Sequence, residues 1–380
     1  VIAVNDLVKE YTVPAPADET GGAWLAVRRF LSPRQIKKQA LHRVSFTVPK
    51  GQFLGLIGPN GAGKTTTVKV LTGILTPTSG QVEVMGFSPQ RQRYEYTPHI
   101  GLVFGQRSLL WYDIPVIESL RLYADIYEVG REAFDRRLDR FAEMLAITDL
   151  LTIPVRKLSL GQRMRAEIAA SLLHDPEVLF LDEPTIGLDA VAKERVRDFL
   201  RQMNQEQGTT VLLTTHDMTD IEALCQRVLI MDKGHIIYDG SVDYLKRLAD
   251  QKVIEVEFSS VPVGGLGVSS SGTAGNGAVS SGAAAVARTV AALTGLTAPI
   301  GIETRPGNRL RLRVAHSDAT RVVSALMDHG GVVDLNVQPP SLDSVIRRIY
   351  EGQDPLPGGA DPRDAAGAAQ EAWGTRGDTR

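Results

Sequence analysis

The sequence predicts an α/β fold: a domain with a mixed or parallel sheet core and an inserted helical lobe, followed by a small C-terminal α+β domain. Three observations carry this. The apolar run Phe53-Leu54-Gly55-Leu56-Ile57 passes through a glycine-rich turn into Thr67-Val68-Lys69-Val70-Leu71, in the order strand, loop, helix. The run Val178-Leu179-Phe180-Leu181 holds four consecutive apolar residues, as a strand covered on both faces requires, and ends in Asp182 and Glu183. Between them, over 107–176, apolar residues recur at three- and four-residue intervals, and after Lys252 the pattern changes to short alternating strands and helices.

Taken in order, Ile2 and Val4 alternate with their neighbours as a short first strand ending at Lys9-Glu10-Tyr11. Residues 12–40 read as an insertion, Pro- and Gly-rich at first. Within it, Trp24, Val27, Phe30 and Leu31 share one helical face, with Arg29 opposite and Arg28 at its border. Such a basic amphipathic stretch suits an anionic membrane surface or a partner helix, and equally a short helix packed on its own domain. A strand over 41–48 precedes the glycine-rich unit, and Gln81-Val82-Glu83-Val84 and Ile100-Gly101-Leu102-Val103-Phe104 form two more. The helical block reads as helices over Val116–Ile126, 131–146 and 162–173. After the 178–183 strand come a helix over 192–205, a strand over 210–215, a helix over 218–225, a hairpin around Lys233-Gly234 and a helix over Val242–Leu248.

The first domain is therefore expected to span 1–248 and the second 252–350. Within the second, strands hold Ile254, Val256 and Phe258 and then Leu310, Leu312 and Val314, with another over 332–337 and helices over 283–293, 318–329 and 341–350. A Gly/Ser/Ala-rich loop over 264–282 is expected to be flexible, and the Gly/Ala/Asp/Arg-rich tail 351–380 to be disordered.

A chain of 380 residues has ample material for two or three domains with buried cores. The formal net charge is -2, so overall charge gives no argument for a nucleic-acid partner. The single cysteine, Cys225, excludes an internal disulfide framework and a Cys-based metal cluster, and suits a reducing compartment. No apolar run approaches the ~18–20 residues that span a bilayer, and no secretory leader is expected at the start. If the protein works at a membrane, another polypeptide is expected to cross it.

The turn itself is Gly58-Pro59-Asn60-Gly61-Ala62-Gly63-Lys64-Thr65-Thr66. Glycines at 58, 61 and 63 allow backbone angles and close approaches that a Cβ forbids, so successive N–H groups can turn inward around a polyphosphate. The following helix adds its positive N-terminal end, Lys64 a point charge for the β- and γ-phosphates, and Thr65 a hydroxyl for a bridging Mg²⁺. The spacing G-x-x-x-x-G-K-[ST] has on the order of a one per cent chance of arising somewhere in a chain this long. A nucleotidase with such a loop needs a carboxylate at a neighbouring strand end to hold Mg²⁺, which Asp182 suits. Glu183, next in sequence, suits polarisation of the attacking water.

The stretch Leu158-Ser159-Leu160-Gly161-Gln162-Arg163 then discriminates among nucleotidases. It matches the L-S-x-G-Q signature, and the chain up to about residue 248 resembles the nucleotide-binding subunit of ATP-binding-cassette transporters, a P-loop NTPase cassette. Gln106, Gly187-Leu188-Asp189, His216 and Tyr11 fall where that family has its Q-loop, D-loop, switch histidine and adenine-stacking aromatic. The resemblance departs from the pattern at Leu160, where a small or polar residue is common, and in the 12–40 insertion after Tyr11.

It implies ATP and Mg²⁺ as ligands, with Tyr11, the 58–66 turn and Asp189 on the nucleotide. Ser159, Gly161 and Gln162 would contribute from a second ATPase subunit closed head to tail, either an identical copy or a sister. Thr65, Gln106 and Asp182 would serve the metal, and Glu183, His216 and Gln106 the hydrolysis. The final stretch Ser341-Leu342-Asp343-Ser344-Val345 resembles that of subunits paired with export-type permeases. The implied activity is ATP hydrolysis powering a separate integral membrane permease, from a peripheral position on the cytoplasmic face of the cell membrane and without a nucleic-acid partner. The alternative is a soluble cassette ATPase acting on ribosomes or nucleic acid. Relatives of that kind usually carry two cassettes or a long coiled coil, and this chain has one uninterrupted cassette and no heptad array.

Overall fold

The computed structural model describes residues 1–14, 35–105, 108–248, 251–258, 301–305, 309–329, 332–338 and 342–350. The expected helices over 24–31 and 283–293, the 264–282 loop, the 351–380 tail and Gln106 lie outside them. The chain divides into two compact units, one from Val1–Val242 and one from Asp243–Pro355.

In the first unit β1 (Ile2–Pro14) and β2 (Gln35–Val48) form a long antiparallel hairpin. They are followed by β3 (Phe53–Ile57), α1 (Lys64–Leu71), β4 (Ser79–Val84), the single turn α2 (Arg93–Tyr96) and β5 (Ile100–Phe104). Helices α3 (Val116–Ile126), α4 (Arg131–Met144) and α5 (Leu160–Leu172) come next and stay within this unit. Then follow β6 (Val178–Asp182), α6 (Ala190–Gln207), β7 (Thr210–Thr214), α7 (Met218–Leu224), β8 (Arg227–Asp232) and β9 (His235–Ser241). The strand expected over 41–48 begins six residues earlier. Thr12 pairs with Lys37 and Val13 with Ile36, so both ends of the 12–40 stretch are paired strand.

Two sheets enclose the core. One is antiparallel in the order β2-β1-β4; the other is ordered β5-β6-β7-β3-β8-β9, parallel except for β9. Strands β3 and β7 are buried at every residue, which explains why both read as unbroken apolar or Thr-containing runs without alternation. Between the sheets, Ile2, Val4, Leu41, Phe46, Leu54, Leu56, Val68, Leu71, Phe180 and Leu229 share one apolar cluster, each buried side chain contributing about 1.5–3 kcal/mol relative to exposure. Phe141 of α4 meets Phe199 of α6 edge to face at 5.2 Å, fastening the helical block to the helix after β6.

The second unit opens with α8 (Val242–Leu248), whose first residue closes the first unit, followed by β10 (Gln251–Phe258), β11 (Gly301–Arg305), β12 (Arg309–Ala315), α9 (Ala319–His329), β13 (Val332–Gln338) and α10 (Leu342–Tyr350). Its antiparallel sheet has the order β11-β12-β10-β13. Ile254, Val256, Leu310, Leu312 and Val314 cluster with Val322 and Leu326 of α9, the alternation expected of a sheet with one covered face. Arg309 and Arg311 pair with Glu257 and Glu255 across the strands at 2.8 and 3.1 Å. β11 was not expected from the sequence.

Candidate functional site

The order of the parallel sheet brings the motifs together. β6, β7 and β3 are neighbours running the same way, so the turn after β3, the acids ending β6 and the His following β7 emerge at one edge. Ligands of open parallel sheets bind in that position, outside the carboxyl ends of the strands.

At β3 the glycines act as the sequence requires. A Cβ on Gly58 would stand 2.4 Å from the Met231 carbonyl oxygen, and Gly63 has φ +107° with Leu41 and Ala40 packed against it. Gly63 is the N-cap residue of α1; it offers no side-chain cap, and the first turn carries no acid. The amides and the positive end of α1 are therefore available to an anion. Lys64 is buried to 8% exposure and donates from Nζ to the carbonyl oxygens of Gly58 at 2.6 Å and Pro59 at 3.2 Å. Burial lowers its pKa, against the opposing influence of Glu183 and Asp182. A buried ammonium held by two loop carbonyls suits a phosphate oxygen as its next partner. The Tyr11 hydroxyl lies 3.5 Å from Thr66 Oγ1, with Lys9 Nζ 5.4 Å from the ring centroid.

At β6, Asp182 accepts from Thr65 Oγ1 at 3.2 Å and from Thr214 Oγ1 of β7. Among the described residues no group of three or more His, Cys, Asp or Glu side chains could hold a metal alone. One hydroxyl and one carboxylate beside a phosphate cradle nonetheless fit Mg²⁺, which is usually bound through one or two carboxylates together with substrate phosphates. Thr214 escaped the sequence reading, although its place at the end of an apolar strand was a usable signal.

Glu183 adopts φ +56°, a conformation that costs a non-glycine residue on the order of 1–3 kcal/mol and survives where its surroundings over-determine it. Its amide donates to the Thr214 carbonyl at 2.9 Å, and its Oε2 lies 3.2 Å from His216 Nδ1. The structure thus brings together Lys64, Thr65, Thr66, Asp182, Glu183, His216 and Tyr11. Gln106 lies outside the described residues; the strand before it, β5, runs beside β6, and the Gly105 amide donates to the Asp182 carbonyl at 3.0 Å.

The signature residues stand apart. Ser159 caps α5 through a reciprocal box: its Oγ accepts from the Gln162 amide at 3.2 Å, and its own amide donates to Gln162 Oε1 at 2.9 Å. The Gln162 side chain is thereby committed within the chain, while Ser159 and Leu160 are exposed. No hydrogen bond joins Ser159 or Gly161 to the 58–66 turn among the described residues; Ser159 is exposed, and Gly161 is half-buried against Leu188. Leu160 fills the space where a Cβ on Gly187 would fall, and Asp189 caps α6 by accepting from the Ala192 amide at 2.8 Å. The signature and the Gly187-Leu188-Asp189 loop therefore pack on each other.

A profile described as ABC transporter matches residues 41–186. The chain is 32% identical over 239 residues to the ABC transporter ATP-binding protein NatA of Bacillus subtilis, covering 63% of this chain and 96% of that one. It is 39% identical over 209 residues to the daunorubicin resistance ATP-binding protein DrrA3 of Streptomyces coeruleorubidus, covering 55% and 66%. Among solved structures, one described as the ATP binding subunit of an ABC transporter superposes with a TM-score of 0.54 at 25% identity, over 65% of this chain and 92% of its own.

Proposed function

The chain belongs to the ABC transporter ATP-binding family, and from that premise we propose that it binds and hydrolyses MgATP as one of two paired cassettes that power a separate, export-type permease. The observation that carries the proposal is the meeting of Lys64, the Thr65 and Asp182 pair, and the Glu183 and His216 pair at adjacent strand ends.

The turn amides, the α1 N-terminus and Lys64 bind and orient the β- and γ-phosphates, and Tyr11 meets the base. Thr65 and Asp182 would hold Mg²⁺, which when bound would supply charge neutralisation on those phosphates. Glu183 accepts the proton of the attacking water, and His216 holds the carboxylate in place through its Nδ1 contact. Because Ser159 is exposed at the capped start of α5, with Gly161 beside it, the two suit the nucleotide bound to a second subunit, closing the site from the other side. ATP then favours the closed pair, and loss of its terminal phosphate releases it.

The export direction draws support from the similarity to a relative named for daunorubicin resistance. No helix among the described residues is long and apolar enough to cross a membrane, which fits a peripheral place on the cytoplasmic face beside the permease. The test is Glu183→Gln in the full chain: hydrolysis falls below detection, MgATP binding persists, and size-exclusion chromatography with ATP shows a pair of subunits. Full turnover by this variant, or absence of pairing with ATP even beside the permease, overturns the proposal.

A further inference from the structure

Behind the paired Glu183 and His216 lies a buried carboxylate that no motif accounts for. Asp220, on α7 four residues after His216, is completely buried. Its Oδ1 accepts from Arg197 of α6 through Nε at 2.7 Å and Nη2 at 2.6 Å. Its Oδ2 accepts from Thr185 Oγ1 at 2.5 Å and from Thr215 Oγ1 at 3.3 Å. Thr185 stands two residues after Glu183, and Thr215 immediately before His216; both are buried. One oxygen of one carboxylate therefore holds the two loops that present the hydrolytic pair, while the other is anchored to the helix beyond them.

The cluster extends outward through Asp217, which takes the Lys193 ammonium at 2.5 Å and lies 3.8 Å from Arg197 Nη2. The Asp217 amide donates to Thr215 Oγ1 at 3.0 Å, so that hydroxyl both accepts and donates and has one orientation open to it. Arg197 and Lys193 are one turn apart on α6, which fixes the spacing of the whole brace.

We infer that Asp220, clamped by Arg197, is a positioning residue for ATP hydrolysis: through Thr185 and Thr215 it sets the placement of Glu183 against His216. The physical reason lies in the Glu183 backbone. A residue at φ +56° relaxes unless its flanks are held, and the Thr185 hydroxyl is the nearest buried side-chain tether after it. The chemistry tolerates little movement, since a shift of about 1 Å in a catalytic group costs on the order of a hundredfold in rate. This inference rests on the reading of Glu183 as the base.

The test uses hydroxyl-deleting and hydroxyl-keeping pairs in the full chain: Thr185→Val against Thr185→Ser, and Thr215→Val against Thr215→Ser. Valine keeps the shape of threonine and removes the donor; serine keeps the donor. For the valine variants kcat for ATP falls ten- to a hundredfold, on the order expected for misplacing a catalytic group, while KM and the affinity for a fluorescent ATP analogue stay within about twofold. The serine variants recover most of the rate. Equal turnover in each valine and serine pair, or rates that fall only in step with lost nucleotide affinity or lost thermal stability, overturns the positioning role. If Thr185→Val does not fold, the Thr215 pair decides alone. Wild-type turnover by Glu183→Gln removes the assignment of Glu183 and this role with it; an inactive Glu183→Gln beside an unimpaired Thr185→Val removes only this role.

Discussion

Alanine at two glycines of the 58–66 turn separates a conformational cost from a steric one. Gly61 and Gly63 both sit at positive φ, +83° and +107°. At Gly61 a Cβ would find nothing within 4 Å. At Gly63 it would lie 2.7 Å from Leu41 Cδ2 and 3.0 Å from the Ala40 carbonyl oxygen. Positive φ costs a residue with a Cβ about 1–2 kcal/mol, and alanine returns about 0.4–1 kcal/mol by restricting the unfolded chain. Gly61→Ala therefore loses about 1 kcal/mol net.

Gly63→Ala carries the same backbone cost together with about 1–3 kcal/mol of overpacking, because Ala40 and Leu41 belong to β2 and have little freedom to move aside. The next residue is tied as well, the His42 amide donating to the Gly234 carbonyl at 2.9 Å. The net loss is about 3 kcal/mol. At about 2–4 °C per kcal/mol for a unit of this size, Gly61→Ala lowers the midpoint of the first unit by about 2–4 °C and Gly63→Ala by about 6–12 °C. Scanning calorimetry of the three proteins without nucleotide reads both numbers. Equal shifts for the two variants would refute the argument that contact with β2, rather than φ alone, excludes a side chain at Gly63.

Two further outcomes follow from ionisable groups. Burial acts to raise the Asp217 pKa, but hydrogen bonds from Lys193 and Thr219 outweigh it and bring the value from 3.8 to about 2. The carboxylate thus stabilises the fold above pH 3.8, and that stability is lost as the pH falls toward 2. After screening of a partly exposed group the contribution is on the order of 1–2 kcal/mol, and urea unfolding of Asp217→Asn from pH 2 to 7 should show that part of the acid slope flattened. Cys225 is buried, and desolvation pushes its thiol pKa far up, so an aromatic disulfide reagent should modify it only in denaturant, with rapid native labelling as the contrary result.

The sequence made strands and helices legible where burial imposes a period, and silent where pairing buries no apolar face. Gln35, Ile36, Lys37, Lys38 and Gln39 are all exposed, so their strand carries no hydrophobic alternation, and the register with Glu10–Val13 rests on main-chain bonds and an ion pair between Lys37 and Glu10 at 3.4 Å. Gly301–Arg305 is short and has no alternating apolar face to announce it. The brace on Asp220 was equally hidden: Arg197 lies 23 residues away, and only the packing of α6 beside α7 makes them neighbours.

The candidate site shows the same division between local chemistry and spatial order. Each motif was readable because its residue types answer a local demand: glycine where a Cβ collides, lysine beside an anion, acids at the end of an apolar strand. What joins them is the strand order, and the segments at 53, 100, 178 and 210 admit several right-handed parallel arrangements. In the observed one β7 lies between β6 and β3. That single placement puts the Thr214 hydroxyl on Asp182, the Thr214 carbonyl on the Glu183 amide and His216 against the Glu183 carboxylate. A strand inserted between the phosphate loop and the acids thus supplies three of the contacts that orient them. Residues that position Glu183 and His216, the proposed hydrolytic pair, are accordingly sought on β7 and α7, beyond the motifs themselves.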